Sequence, residues 1–185
     1  MTEREKMLAG LPYTASSPEL VEELTNVKTL LHKYNMLLPS DKETMRQMLD
    51  KLLGSHGERF TILQPFYCDY GKNIIVGEDF FANFGFTVLD EAVVKIGSNA
   101  FIGPNVSIYT ACHPLNPEER NRAIEWSRGV TIGDNVWIGG SVTICPGVTI
   151  GNNVTIGAGS VVVKDIPDNC VAVGNPARVV KRLSF

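Results

Sequence analysis

The sequence predicts a mainly β solenoid built from six-residue units, and two observations point to it. Aliphatic residues recur every six positions in the C-terminal half, at Ile132, Ile138, Ile144, Ile150, Ile156 and Val162. Small or β-branched residues stand four positions after the aliphatic ones, from Val136 to Ser160. A helix repeats every 3.6 residues and a strand every two, so a period of six indicates a short extended piece followed by a turn. Such units bury their apolar side chains only by stacking on one another.

The same register appears further upstream and shows where the repeat is interrupted. Ile96, Ile102 and Ile108 lie in phase with Ile132, whereas residues 113–129 do not fit the pattern. We therefore expect residues 113–129 to form a loop that projects between two coils in register. An earlier set of apolar residues, from Val76 to Val88, is displaced by two positions, which predicts a short insertion over residues 90–95.

Two helices are predicted before the solenoid. The first begins at Ser17-Pro18-Glu19, because Ser can cap, Pro suits the first helical position and Glu favours the first turn, and it ends before Pro39. The second begins with a capping box from Ser40 to Glu43 and ends at Gly54. We expect residues 1–58 to form a helical segment on an end or edge of the solenoid. Residues 59–185 would form the solenoid, its loop and a basic C-terminal tail.

The composition argues against several classes of partner and compartment. A net charge of −3 does not suit nucleic-acid binding, which usually needs a basic face. No apolar run reaches the ~18 residues that a membrane helix needs, and the N-terminus lacks the apolar core of a signal peptide. The four cysteines are widely spaced without a CxxC motif, so we expect free thiols and a cytoplasmic protein.

One of the three histidines stands out as a candidate for chemistry. His32 and His56 lie in or beside the predicted helices, where a packing or surface role is expected. His113 lies where the repeat breaks, so a stiff coil would present it at the root of a loop. An imidazole titrates near neutral pH and suits a general base. Cys112 falls at the inward small position of its unit, so we expect a core thiol there, not a nucleophile, and a similar buried thiol at Cys145.

Several short motifs resemble the hexapeptide-repeat sugar O-acetyltransferases of the maltose and galactoside type, with the maltose type closer. They are Cys68-Asp69-Tyr70-Gly71, Phe81-Ala82-Asn83-Phe84, Thr110-Ala111-Cys112-His113-Pro114, Val136-Trp137-Ile138-Gly139-Gly140 and Gly174-Asn175-Pro176-Ala177-Arg178. The resemblance implies a left-handed parallel β-helix of triangular section with three units per coil. It also implies a homotrimer whose active sites lie between subunits.

The resemblance further implies acetyl transfer from acetyl-CoA to a sugar hydroxyl, expected at the primary 6-hydroxyl of maltose or glucose. His113 would act as the general base in a direct transfer, and Asn83 would contact the acceptor or the tetrahedral intermediate. Glu125 would orient the imidazole or shape the pocket. Asp69 would hydrogen-bond the acceptor, with Asp90 as a weaker neighbour of that kind.

Two groups of residues match coenzyme A contacts of the family. Gly140, Ala158, Val163 and Lys164 match positions along the pantetheine arm, and Arg178 and Lys181 match the basic pair that meets the phosphates. Some relatives place an acidic acceptor contact near positions 15–17, where this chain has Ala15-Ser16-Ser17. This departure leaves the acceptor open.

Three alternatives remain beside this hypothesis. The same chemistry could serve another hydroxyl acceptor, such as a galactoside, serine or an antibiotic. The chain could instead be a non-catalytic β-solenoid scaffold, although this leaves the loop and His113 unexplained. Carbonic anhydrases of the gamma type share the solenoid, but their zinc needs three histidines from the coils and this chain has one there, so no metal is expected.

Overall fold

The computed structural model describes residues 1–184, which form a triangular β-solenoid with helices at its N-terminal end. Each coil contributes one short strand to each of three parallel sheets, and equivalent residues pair in register from coil to coil. The predicted fold class, a left-handed parallel β-helix with an N-terminal helical segment, is confirmed. No helix within residues 1–184 is both long enough and apolar enough to cross a bilayer.

Strands are numbered in chain order and define three faces. The first face contains β4 (Ile74–Val76), β7 (Val94–Ile96), β12 (Val130–Ile132) and β15 (Thr149–Ile150). The second contains β2 (Phe60–Ile62), β5 (Phe80–Ala82), β8 (Phe101–Ile102), β13 (Trp137–Ile138), β16 (Val154–Ile156), β18 (Cys170–Val173) and the antiparallel β19 (Arg178–Arg182). The third contains β3 (Phe66–Cys68), β6 (Phe86–Leu89), β9 (Ser107–Tyr109), β14 (Thr143–Ile144) and β17 (Val161–Val162).

The in-phase aliphatic residues form the core of the solenoid. Ile96 pairs with Ile132, which pairs with Ile150, so their buried side chains stack in a column inside the first face. Fully burying one such side chain stabilises the fold by about 1.5–3 kcal/mol, which explains why a short unit folds only when stacked. Larger rings of Phe66, Phe80 and Phe86 fill the N-terminal coils.

The turns between the first and second faces carry a ladder of asparagines in the left-handed backbone region. Asn135, Asn153 and Asn169 all have φ near +55°, a conformation that Asn tolerates better than most residues. The amide nitrogen of Asn135 donates to Oδ1 of Asn153 at 3.0 Å, and that of Asn153 donates to Oδ1 of Asn169 at 2.8 Å. The ladder therefore links successive coils along one edge.

The N-terminal helices are α1 (Glu3–Leu8), α2 (Pro18–Met36) and α3 (Lys42–Leu52), and a short α4 (Pro117–Arg120) lies in the loop. A capping box begins α1, with Glu5 N donating to Thr2 Oγ1 and Thr2 N donating to Glu5 Oε2. The N-cap of α3 is Asp41, which accepts from Thr44 N, so the predicted capping box at Ser40 is wrong by one position. Leu49, Leu52 and Leu53 of the α3 region join the solenoid core.

Every insertion into the repeat falls at the same edge, where the chain turns from the third face to the first. We call this edge the loop corner; it carries residues 69–73, 90–93 and 110–129. The two-residue displacement predicted over residues 90–95 lies there, and a similar insertion at 69–73 occurs one coil earlier. Three irregular segments therefore converge on one side of an otherwise regular molecule.

Candidate active site

A small antiparallel sheet stands on the loop corner and presents His113. Strands β10 (Ala111–Cys112) and β11 (Ile124–Ser127) form a hairpin within the loop, and β1 (Tyr13–Thr14) from the N-terminal segment pairs with the outer side of β11. His113 follows β10 directly, and its side chain is 55% exposed. The imidazole therefore faces solvent at the root of the loop.

The carboxylate of Glu125 lies on the Nδ1 side of the ring, and the hydroxyl of Tyr13 contacts that carboxylate. Nδ1 of His113 lies 3.7 Å from Oε1 of Glu125, and the hydroxyl of Tyr13 donates to Oε2 of the same carboxylate at 2.9 Å. The structure thus brings His113 and Glu125 together, as the sequence suggested. Tyr13 was not identified from the sequence, because it is far from both residues along the chain.

Cys112 does not point into the core, so that prediction is wrong. The chain leaves the regular coil at Thr110, whose side chain is buried in the inward position, and Cys112 is only half-buried in β10. Cys145 is likewise half-buried, whereas Cys68 and Cys170 are buried. Desolvation raises the pKa of the Cys112 thiol above its usual value. A raised pKa lowers the fraction of reactive thiolate, so Cys112 has no feature of an activated nucleophile.

Asp90 is completely buried beneath the loop corner. Its Oδ1 accepts hydrogen bonds from the backbone N–H groups of Asp69 and Tyr70, at 3.1 and 2.8 Å. Its Oδ2 is buried and has no hydrogen-bond partner among residues 1–184. Burial raises the pKa of Asp90 to about 7. A side chain so enclosed cannot touch an acceptor, so Asp90 holds the 69–73 turn in place, and the predicted acceptor contact does not fit this geometry.

The neighbouring residue, Glu91, is the carboxyl that the sequence reasoning missed. Its side chain is nearly buried, with 8% of the residue exposed, and its Oε2 accepts a hydrogen bond from Thr110 Oγ1 at 3.2 Å. Burial, followed by the charge of Asp69, raises the pKa of Glu91 well above its usual value. The two-residue displacement in the repeat was the only signal of this position. Glu91 and Asp69 therefore form a carboxyl pair beside the hairpin.

Asp69 also lines a groove of about 900 Å³ between α2 and the third face, so the carboxyl pair lies beside this groove. Lys28 Nζ on α2 lies 4.0 Å from Asp69 Oδ1, an exposed ion pair of modest strength. Leu31, Tyr67 and Leu89 supply apolar walls. The groove and the carboxyl pair thus place polar and apolar surface side by side, as is typical of small-molecule sites.

A second groove, of about 560 Å³, lies on the second face and collects a different set of the predicted residues. Asn83, Gly140 and Ala158 line it together with the exposed ring of Trp137. A Cβ on Gly140 would come within 3.2 Å of Pro104, so a side chain at this position would be tightly confined. Asn83 follows β5, at the turn into the third face, whereas His113 is at the loop corner. One chain therefore does not bring Asn83 and His113 into one cleft.

The remaining residues predicted for coenzyme A fall into two places. Val163 and Lys164 follow β17 and lie exposed on the loop corner, the same edge as His113. Arg178 and Lys181 lie exposed on β19, at the C-terminal end of the second face. The predicted cofactor residues are thus divided between the loop corner and the second face. The predicted catalytic residues His113 and Asn83 are divided in the same way.

Two family models match this chain. The maltose acetyltransferase hexapeptide capping motif matches residues 6–57, which contain the end of α1 and all of β1, α2 and α3. The bacterial transferase hexapeptide model, with six repeats, matches residues 129–164. These matches cover the helical segment and the most regular coils.

Several known proteins are similar to this chain over nearly its whole length. A galactoside O-acetyltransferase of Escherichia coli is 41% identical over 184 residues, covering 100% of this chain and 90% of its own. Nodulation protein L of Rhizobium meliloti is 46% identical over 178 residues, covering 96% and 97%. The crystal structure of a maltose O-acetyltransferase from Clostridium difficile matches with a TM-score of 0.98 and 51% identity, covering 100% and 99%. A galactoside acetyltransferase in complex with coenzyme A matches with a TM-score of 0.95 and 41% identity, covering 100% and 92%.

Proposed function

This chain belongs to the hexapeptide-repeat sugar O-acetyltransferases, and from that premise we propose a specific reaction. As an acyltransferase of this family, it transfers the acetyl group of acetyl-CoA to a sugar hydroxyl. Within that activity, we propose that the acceptor is a sugar such as maltose or glucose, acetylated at its primary 6-hydroxyl, and that His113 is the general base. The observation that carries the proposal is an exposed imidazole beside Glu125 at the one corner where the repeat is interrupted.

The proposed chemistry is a direct transfer. The His113 imidazole takes the hydroxyl proton as the sugar oxygen attacks the thioester carbonyl carbon, which forms a tetrahedral intermediate with a negatively charged oxygen. The carbon–sulfur bond then breaks, and the imidazolium returns its proton to the departing thiolate. The products are the acetyl ester and free coenzyme A. Asn83 is proposed to donate its amide N–H to the acceptor or to the developing oxyanion.

The carboxyl pair at the loop corner is proposed to hold the acceptor. Asp69 and Glu91 lie beside the hairpin that carries His113, and carboxyl oxygens accept hydrogen bonds from sugar hydroxyls. Asp90 serves them indirectly by fixing the backbone of residues 69 and 70. Some relatives place an acidic acceptor contact near positions 15–17, where this chain has Ala15-Ser16-Ser17, so Asp69 and Glu91 are proposed to supply the acidic contacts instead.

Coenzyme A is proposed to lie along the second groove, with Gly140 and Ala158 against the pantetheine arm and Arg178 and Lys181 toward the phosphates. Because the relative solved with coenzyme A matches this chain over its full length, the same cosubstrate is proposed here. Asn83 lies in this groove, whereas His113, Val163 and Lys164 lie on the loop corner. A complete site would therefore need two chains, which supports the proposed homotrimer with its active sites between subunits.

The experiment that tests the base is His113→Ala, assayed with acetyl-CoA by release of free thiol. Loss of a general base lowers kcat by about 10²–10⁴-fold, and we expect an effect of that size. The matched control is His56→Gln, because His56 pairs with Asp50 near the end of α3 and is distant in sequence from the proposed site. Unchanged turnover in His113→Ala would overturn the proposed role and favour the scaffold alternative.

A panel of hydroxyl compounds tests the acceptor. Glucose and maltose should turn over faster than galactosides, and serine or an antibiotic alcohol should be slower still. The position of the ester follows from NMR of the isolated product, where acetylation of a primary hydroxyl shifts the adjacent methylene protons. A product acetylated elsewhere, or a faster non-sugar acceptor, would contradict the proposed specificity.

A further inference from the structure

We propose that Tyr13 is a positioning residue for the general base, acting through Glu125 on His113. The inference rests on the proposed role of His113 and adds a residue from outside the solenoid to the catalytic apparatus. It follows from the register of the antiparallel sheet, from two distances and from the surroundings of the phenol.

The register places the three side chains in one row. Tyr13 of β1 is directly opposite Glu125 of β11. On the other side of β11, Cys112 is opposite Trp126, so the next position, His113, is adjacent to Glu125 across the hairpin. Residues directly opposite each other in an antiparallel pair project on the same side with Cβ atoms about 4.5–5.5 Å apart. Tyr13, Glu125 and His113 can therefore interact as a line across the sheet.

The two carboxylate oxygens of Glu125 face different neighbours. Oε2 accepts from the Tyr13 hydroxyl at 2.9 Å, which leaves Oε1 facing His113 Nδ1 at 3.7 Å. A carboxylate on the Nδ1 side favours one orientation and tautomer of the imidazole, so that Nε2 is the nitrogen that meets the acceptor. Because the hydroxyl fixes one oxygen, the carboxylate cannot rotate freely away from the ring.

The surroundings of Tyr13 keep its hydroxyl in the donating form. The side chain is 3% exposed and packs with Met7, Leu20 and Tyr70. The charged or titratable groups that face it are Glu125, Glu91 and Tyr70, and Asp69 and Glu23 lie beside Tyr70. Burial, followed by the charge of Glu125, raises the pKa of Tyr13 far above its usual value. The phenol therefore remains protonated and supplies a hydrogen-bond donor among carboxylates that would otherwise repel one another.

Two further hydrogen bonds hold the segment that carries Tyr13 against the loop of the solenoid. Ser127 Oγ at the end of β11 donates to Met7 O at 2.7 Å, and Ala15 N donates to Ala123 O at 3.0 Å. Both bonds join the segment that precedes α2 to the hairpin. The N-terminal segment therefore covers the end of the coils and also places the Tyr13 side chain, through β1, against Glu125.

The test is a double-mutant cycle of Tyr13→Phe and Glu125→Gln, with kcat and KM measured for acetyl-CoA and glucose. Phe keeps the ring and the strand pairing and removes only the hydroxyl. We expect kcat of Tyr13→Phe to fall about tenfold, because a misplaced base lowers the rate steeply, with KM for acetyl-CoA within about twofold of wild type. The double variant should equal Glu125→Gln alone, since Tyr13 acts through that carboxylate. The control Thr14→Val, at the exposed neighbour on β1, should keep wild-type kcat.

Two results would overturn the inference while leaving the proposed base intact: unchanged kcat in Tyr13→Phe, or a Tyr13→Phe effect of equal size in the Glu125→Gln background. If His113→Ala is inactive while either of these results is obtained, the inference about Tyr13 fails and the proposed base does not. Nitrogen-15 NMR of the three histidines gives a second measurement that does not need turnover. The His113 ring shifts should move in Tyr13→Phe while those of His32 and His56 stay fixed; unmoved His113 shifts would also overturn the inference.

Discussion

One buried carboxyl at the loop corner, Asp90, positions neighbouring backbone groups and has no exposed surface of its own. Asp90 is enclosed by the turn that its Oδ1 organises, while its Oδ2 has no partner among residues 1–184. Ionising such a group costs free energy because water is excluded, so the folded chain retains a proton that the unfolded chain releases. Glu91, beside Asp69, is under the same influence. The stability of the fold should therefore depend on pH through these residues.

We predict that the free energy of unfolding decreases as pH rises from about 4 to 7, and that Asp90→Asn reduces this decrease. Burial raises the folded-state pKa of Asp90 from 3.8 to about 7, so in this interval the folded state binds a proton that the unfolded state does not. The linked free energy is at most about 4 kcal/mol, lost progressively with rising pH. Calorimetric melting at pH 5 and pH 8 measures it, with the exposed Glu22→Gln as control. Equal pH dependence in wild type and Asp90→Asn would contradict the prediction.

At the scale of elements, the inward aliphatic residue of each six-residue unit is a main source of packing between neighbouring coils. Ile138 of β13 is fully buried and pairs in register with Ile102 before it and Ile156 after it. Outward residues, such as Thr131 of β12, are exposed and contribute little packing. The two kinds of position alternate within one short strand, so substitutions there should have very different effects.

We predict that Ile138→Ala lowers the free energy of unfolding by roughly 2–5 kcal/mol, because it leaves a cavity between three stacked coils that cannot collapse. Thr131→Ala should change it by less than about 0.5 kcal/mol, as expected of an exposed position. Urea titration at a fixed protein concentration measures both. A loss below about 1 kcal/mol for Ile138→Ala would show that the column repacks.

The coils could be predicted from the sequence because their six-residue period is local. The conformation of the inserted segments at the loop corner could not, because it depends on contacts between residues that no period relates. The phase of Ile96, Ile108 and Ile132 was enough to place strands and loop. The same phase assigned Cys112 to the core, because nothing in the spacing shows that the chain turns out at Thr110 to form a hairpin. Tyr13 escaped notice for a related reason, since 112 residues separate it from Glu125 and no periodicity connects them.

For the whole molecule, the arrangement of the proposed site is explained by the geometry of a triangular prism. Insertions collect at the loop corner, whereas the groove with Asn83 and Gly140 lies on the second face. The core between the faces is filled with aliphatic and aromatic side chains, so no residue can reach from one edge to another through the interior. A site that needs both sets of groups must therefore be assembled from two prisms placed side by side.

This geometry leads to a complementation prediction. A chain with Asn83→Ala keeps its His113 corner, and a chain with His113→Ala keeps its Asn83 groove, so a mixed oligomer can contain complete sites that neither parent has. With random mixing of equal amounts, about a quarter of the interfaces in a cyclic oligomer would combine the two intact halves. Co-expressing the two chains with different affinity tags and purifying on both tags isolates the mixed species. We expect it to recover acetyl transfer to a sizeable fraction of wild type, while each parent alone stays near background. Mixed oligomers no more active than their parents would contradict a site shared between chains, because a trimer built as proposed must regenerate it.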